Sequence, residues 1–185
     1  MSPSSVRAVA LSPDPLSRAP PSPAGRSPAQ GSPEAPRVLI LGYGNPGRGD
    51  DGLGPSASAE IGALGWPHVT AHDNYQLNIE DALDVATHTV VWFVDAARSG
   101  PSPFTITTLA PAASLEFTSH LVRPEAILAL AHQYYGATPR AFLMGIRGYE
   151  FEFVEGLTAA ATDNLQRAVE RIKISLVVSP PAGLS

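Results

Sequence analysis

The chain has no cysteine. Disulfide bridges, thiolate metal sites and cysteine nucleophiles are therefore excluded, and any metal must be held by His, Asp, Glu or backbone oxygen. Positive charge is also scarce: 12 Lys and Arg stand against 17 Asp and Glu, a net charge of −5. Composition thus offers no surface suited to nucleic acid or an anionic membrane. No apolar run approaches the roughly 18 residues of a membrane-spanning helix. The longest, around 90–97, is interrupted by Asp95 and fits a buried strand better. There is no G-x-S-x-G elbow to carry a nucleophilic serine.

What is present is 185 residues, 44% of them hydrophobic, which suits one soluble globular domain with a real core. Residues 1–36 stand apart. Nine of the 19 prolines fall there, mixed with Ser, Ala and Gly, and the few large apolar residues show no period. Such a segment cannot bury enough surface to offset its ordering entropy, so it reads as a disordered, dispensable extension. Its proline density argues against an amphipathic transit helix, and it lacks the apolar stretch of a secretory signal. Residues 179–185, with Pro180 and Pro181, read as a loose tail, which leaves 37–178 as the single folded domain.

Within that domain the pattern alternates. Strands are predicted over 37–42, 68–73, 89–95, 103–109 and 140–146. The run over 89–95 is continuously β-branched and aromatic, as in a strand covered on both faces. Helices are predicted over 52–64, 78–86, 123–135 and 158–177. Asn78 reads as an N-cap ahead of Glu80 and Asp81. Pro124 and Gly136 bracket the third helix. In the last helix Leu165, Ala168, Val169, Ile172 and Leu176 recur at helical spacing. This order implies a three-layer α/β/α fold: a twisted, mostly parallel sheet of about five strands, flanked by helices on both faces. Sites in such sheets lie beyond the carboxyl ends of the strands, near a topological switch point. The polar residues predicted there are Asn45, Asp50 and Asp51, then Asp73 and Asn74, then Asp95, and finally Ser119 and His120.

The first strand leads into GYGNPG, residues 42–47, which satisfies the G-x-G-x-x-G pattern of dinucleotide-binding proteins. Asp73 would then stand where a ribose-binding acid is expected. Against this, a pyrophosphate needs the free N–H groups and positive end of the following helix. Asp50 and Asp51 would occupy that end, and two carboxylates repel a diphosphate. Pro46 and the Arg48-Gly49 insertion also lengthen the turn beyond the fingerprint.

A cation fits the acids better. Asp51, Asp95 and His120 would converge at one end of the sheet as an open-sided site for a divalent ion such as Ni²⁺ or Zn²⁺. Each has a structural alternative. Asp95 would cap the turn that follows it or pair with Arg98. Asp51 would be a first-turn acid and Asp50 the N-cap of the first helix. A lone loop histidine such as His120 is commonly structural.

At these residues the chain resembles the hydrogenase maturation endopeptidases, which trim the C-terminal extension from the large subunit of nickel–iron hydrogenases. The resemblance spans about 37–176. It rests on G-x-G-N-x4-D-[DE]-x-x-G, here Gly42 to Gly54, on an apolar strand ending in Asp95-Ala96, and on Ser119-His120 ahead of a helix. It implies that Asp51, Asp95 and His120 contact a metal, with Asp51 standing where several members have Glu. The nickel is thought to be supplied by the substrate precursor, and no organic cofactor is implied. The resemblance implies an aspartic-type or metal-assisted peptidase, with Asp51 and Asp95 catalytic and Asp50 as helper, its pKa raised if both neighbours are desolvated. A cytoplasmic, monomeric enzyme is expected, with the nickel-bearing large-subunit precursor as partner and neither nucleic acid nor membrane. Some members carry a Gly-Gly-Thr-type turn after the second strand. This chain has Asp73-Asn74-Tyr75-Gln76-Leu77-Asn78, and Asn45, Asp73, Asn74, Tyr75 and Gln76 are expected to touch the substrate. A non-cleaving factor that binds nickel or precursor remains an alternative, with dinucleotide binding behind it.

Overall fold

Strand β1 (Val38–Tyr43) opens the fold in the computed structural model, which describes residues 36–112 and 122–178. The expectations for residues 1–35 and 179–185 lie outside the described residues. A 3₁₀ turn (Gly49–Gly52) leads into α1 (Leu53–Gly62), β2 (Val69–Asn74), α2 (Asp81–Ala86) and β3 (Val90–Ala97). There follow β4 (Phe104–Leu109), α3 (Pro124–Tyr135), β5 (Arg140–Arg147) and α4 (Ala159–Val178). The sheet order is β2-β1-β3-β5-β4, with only β4 antiparallel to its neighbour. The predicted three-layer α/β/α architecture is what the chain adopts.

Alternation along the strands decides which helix packs where. In β1, Val38 and Ile40 join Trp92 and Val94 of β3 and the apolar sides of α1 and α4 in one core. Leu39 and Leu41 join Val91, Phe93 and residues of α2 and α3 in the other. In α4, Leu165, Ala168, Val169 and Ile172 are buried as their spacing predicts. Crossovers in such a sheet are right-handed, so the step out to β2 and the step back to β3 put α1 and α2 on opposite faces. After β1 the chain leaves towards β2, and after β3 it leaves towards β5 and β4. The switch point therefore falls between the carboxyl ends of β1 and β3.

Three local readings need correction. The first helix does not take up the acids as cap or first turn. They coil into the 3₁₀ turn, Gly52 stands at the N-cap without a side-chain bond, and the α-helix begins at Leu53. Asn78 is not the cap of α2, which begins three residues later. Instead the Asp81 carboxylate accepts the Asn78 N–H at 2.8 Å, closing the turn from inside the helix. Finally, β3 continues two residues past Asp95, so this carboxylate lies within the strand. Among the described residues no helix is long and apolar enough to cross a membrane.

Candidate active site at the switch point

Two glycine contacts set the geometry. Gly44 has φ 140°, a conformation L side chains rarely adopt, and a Cβ there would lie 2.1 Å from the Asp51 carbonyl oxygen. A Cβ on Gly54 would lie 2.4 Å from the Tyr43 carbonyl oxygen and 2.5 Å from that of Val94. The glycines thus bring the turn and the start of α1 directly onto the ends of β1 and β3. This is not the phosphate arrangement: the helix begins at Leu53, well past Gly47, and Asp51 stands in the turn that leads into it.

Asp51 is half-buried. Its Oδ2 accepts the backbone N–H of Asn45 at 3.0 Å. Asn45 is itself fixed: its Oδ1 accepts the Gly47 N–H at 2.9 Å, and its amide donates to the Tyr75 hydroxyl.

Asp95 lies on the neighbouring strand. Gly42 of β1 pairs in register with Val94 of β3, so the next residues, Tyr43 and Asp95, stand side by side on the α2/α3 face. The Tyr43 hydroxyl hydrogen-bonds to Asp95, and the Ala96 N–H donates to Asp95 Oδ1 at 2.7 Å. The turn-capping alternative for Asp95 fails, because Ala96 and Ala97 continue β3 rather than forming a turn. Arg98 instead lies over the Phe151 ring, 4.1 Å from its centroid. Burial pushes the Asp95 carboxyl up from 3.8 to about 6, and the negative charge of Asp51 pushes in the same direction. The Tyr43 phenol is raised by burial and by the charge of Asp95, with a further contribution from Glu125 at the start of α3.

Asp50, one residue away, is fully buried. Tyr149 and Glu150 donate their N–H groups to Oδ2 at 2.7 and 3.0 Å, Thr158 its N–H to Oδ1 at 2.7 Å, and the Thr158 hydroxyl reaches Oδ2 at 3.0 Å. Thr158 in turn caps α4, its Oγ1 accepting the Ala161 N–H at 3.2 Å. Burial alone would raise the Asp50 pKa, but these bonds outweigh it and hold the group below its ordinary value. The raised pKa expected at Asp50 is therefore found at Asp95 instead.

The remaining candidates divide. Tyr75 is 67% exposed beside Asn45. Asn74 is turned away, its amide donating to Asp81 at 3.0 Å. Asp73 and Gln76 are exposed. Ser119 and His120 lie outside the described residues, and among the described residues no group of three His, Asp or Glu is placed to hold a metal ion. Sequence reasoning missed Tyr43. The alternation Leu39, Leu41, Tyr43, carried one residue past the predicted strand end, would have found it. An apolar groove of about 380 Å³ sits at the opposite end of the sheet, bounded by Val38, Val90 and Arg140.

No protein-family model and no curated protein matches the chain. Solved structures do. The hydrogenase maturation protease HycI from Thermococcus kodakarensis KOD1 superposes with a TM-score of 0.61 at 22% identity, over 76% of this chain and 92% of its own. The hydrogenase maturating endopeptidase HybD from E. coli gives 0.60 at 22%, over 77% and 93%. The hydrogenase 2 maturation peptidase from Thaumarchaeota archaeon SCGC_AB-539-E09 gives 0.58 at 23%, over 77% and 99%. The chain therefore shares the fold of these proteins across almost their whole length.

Proposed function

We propose that this chain is an endopeptidase that removes the C-terminal extension of a nickel–iron hydrogenase large-subunit precursor after nickel insertion. The observation that carries the reading is the pair Asp51 and Asp95. Asp51 comes from the turn after β1 and Asp95 from the end of β3; they approach at the switch point, where burial raises the Asp95 pKa and the charge of Asp51 adds to the rise. Two carboxylates held that close are suited to a shared cation or a shared water. The shared fold adds support.

Asp51, Asp95 and His120 contact the nickel carried in by the precursor, which is substrate rather than resident cofactor. Glu125, five residues after His120, acts on the Tyr43 phenol, which supports bringing the start of α3 to this end of the sheet. Once the precursor's tail lies across the strand ends, a water must lose a proton and attack the scissile carbonyl. A carboxyl with a pKa of about 6 suits a general base near neutral pH. Asp95 takes that role and the amine leaving group receives the proton. Asp51 and its Asn45 N–H fix the metal side of the site. Metal polarisation of the carbonyl is the other route to the same bond cleavage. Tyr75, tied to Asn45, contacts the incoming segment from the β2 side.

The test is to incubate the purified chain with nickel-loaded precursor and weigh the products by mass spectrometry. Loss of the C-terminal segment with wild type, and at least about a hundredfold slower loss with Asp51→Ala, is expected. An intact precursor in a stable complex would overturn the protease reading and leave a non-cleaving maturation factor.

A further inference from the structure

Parallel pairing with β1 turns alternate residues of β2 towards that strand. The Asn74 carbonyl accepts the Gly44 N–H at 3.1 Å, and the carbonyl of His68, just before the strand, accepts the Val38 N–H at 2.9 Å. His68, Thr70, His72 and Asn74 therefore direct their main-chain groups to β1. Val69, Ala71 and Asp73 turn theirs outward. The Val69 N–H is held by the Trp66 carbonyl at 3.0 Å. The Val69 carbonyl and both groups of Ala71 and Asp73 meet no hydrogen-bond partner among the described residues. β2 thus ends the sheet on an open row of donors and acceptors.

Such edges are ordinarily blunted by proline, lysine or a bulge. β2 has none of these: its sequence is VTAHDN, and it pairs with β1 over six consecutive residues. The His72 imidazole is drawn aside to Asp84 of α2, 3.2 Å away. The edge also leads to the candidate active site. β1 and β2 run parallel, so β2 delivers Asn74 and then Tyr75 to the end of the sheet that holds Asp51 and Asp95. Tyr75 is 67% exposed and accepts the Asn45 amide, and the Asn45 backbone N–H is on Asp51. The opposite edge, β4, is separated from β3 by β5.

We propose that the open edge of β2 binds the C-terminal extension of the precursor as an added antiparallel strand, paired to the outward groups of Val69, Ala71 and Asp73. This rests on the reading that the extension enters this site, whether or not it is cut there. Its direction follows from where it starts. The extension begins at the scissile bond, beside Asp51 and Asp95, and β2 ends at the same place. A segment leading away therefore runs against β2, from Asp73 back to Val69. Its length follows from sheet geometry. Crossing the ends of β1 and β2, past Asn45 and Tyr75, takes about 10 Å, or about three extended residues. About five more cover Asp73 to Val69. Main-chain bonds supply the affinity, so the edge selects for an extended tail of sufficient length more than for its side chains.

The experiment uses nickel-loaded precursor with its full extension and with the extension cut back to about three residues past the scissile bond. Kd is measured by calorimetry, and KM and kcat from the rate of tail release. The full chain is compared with Asp73→Pro and Asp73→Ala. Proline removes the outward N–H and leaves the β1 ladder intact, a place where edge strands tolerate it. Alanine removes the carboxylate and keeps the N–H. Truncating the extension is expected to raise Kd and KM about tenfold or more, and Asp73→Pro about fivefold or more, with Asp73→Ala well below Asp73→Pro. Truncation and Asp73→Pro remove the same pairing, so together they should cost no more than truncation alone. The truncation needs no variant of the chain, so it decides the proposal even if Asp73→Pro melts early. If wild type cuts full and truncated precursor with equal KM, or if Asp73→Ala loses as much as Asp73→Pro, the added strand is wrong and the protease reading stands. If wild type binds precursor without cutting, and truncation and Asp73→Pro weaken that binding, the protease reading fails and the added strand stands. Absence of any binding by wild type overturns both.

Discussion

Asp50 and Asp95 are two carboxylates drawn in at the same end of one sheet, and their surroundings are opposite. Asp50 accepts four hydrogen bonds, three from backbone N–H groups and one from the Thr158 hydroxyl, and its pKa is held down despite complete burial. Asp95 accepts one backbone N–H and one phenol, faces the charge of Asp51, and is raised to about 6. Burial acts in the same direction on both. What differs is how much of the carboxylate's lost hydration the protein replaces. A saturated carboxylate is a structural tie, ionised and unreactive. An unsaturated one keeps lone pairs and a proton affinity near neutral, which is what a ligand or a base requires.

The largest test of this contrast is Asp50→Ala. It leaves three N–H groups and a hydroxyl around a buried position without their acceptor and unties the start of α4. Removing one partner of a buried, charge-assisted network costs about 4 kcal/mol, which for a domain of this size lowers Tm by about 10 °C or more. Denaturant and thermal melts measure it. A lowered carboxyl pKa contributes stability above the unfolded value, lost as pH falls towards the folded one. The acid limb of the wild-type stability curve should therefore be steeper than that of the variant. If Asp50→Ala melts with the wild type and fails only in processing, Asp50 belongs with Asp51 and the contrast collapses.

A smaller effect of opposite sign is expected at Asp95. Its folded pKa lies above its unfolded value, so the native state holds that proton up to about pH 6 while the unfolded chain releases it near 3.8. Stability from this group is present at low pH and lost as pH rises through 6. Asp95→Asn keeps Oδ1 as an acceptor for the Ala96 N–H and removes the charge. In metal-free protein it should gain about 2 kcal/mol at pH 8 and almost nothing at pH 4. Urea melts at the two pH values decide it. A variant equally affected at both would mean that Asp95 is ionised throughout, like Asp50.

The contrast was only half legible in the sequence. The element order was readable because local patterns are strong: the run over 89–95 had to be a covered strand, and Pro124 and Gly136 had to bracket a helix. Asp51 and Asp95 were readable as a pair because strand-end residues of neighbouring parallel strands meet at a switch point. The role of Asp50 was not, because its partners Tyr149, Glu150 and Thr158 lie 99, 100 and 108 residues away. No local pattern marks an acid whose bonds are all non-local. The acids next to the glycine turn looked alike on paper because side-chain direction there depends on the 3₁₀ turn, which forms only when Gly44 and Gly54 let the chain approach the sheet. His120 stays an expectation of the motif, outside the described residues.

The smallest effect concerns Tyr43, and it is the sharpest test of how Asp95 keeps its intermediate state. The phenol donates to that carboxylate alongside the Ala96 N–H, and its bond pulls the Asp95 pKa down against burial and against Asp51. Tyr43→Phe keeps the ring, which packs against the α2/α3 core, so the fold should lose about 1 kcal/mol or less. The carboxyl, without the phenol, should bind its proton more tightly. The acid limb of the pH–rate profile for precursor cleavage should then move to higher pH, with a several-fold loss of rate at pH 6 that narrows as pH rises. A purely structural Tyr43 would lower Tm without moving that limb. A limb that moves to lower pH would mean that the phenol had been favouring the protonated acid. Asp95 would then lie further from Asp50 in character than its hydrogen-bond count implies.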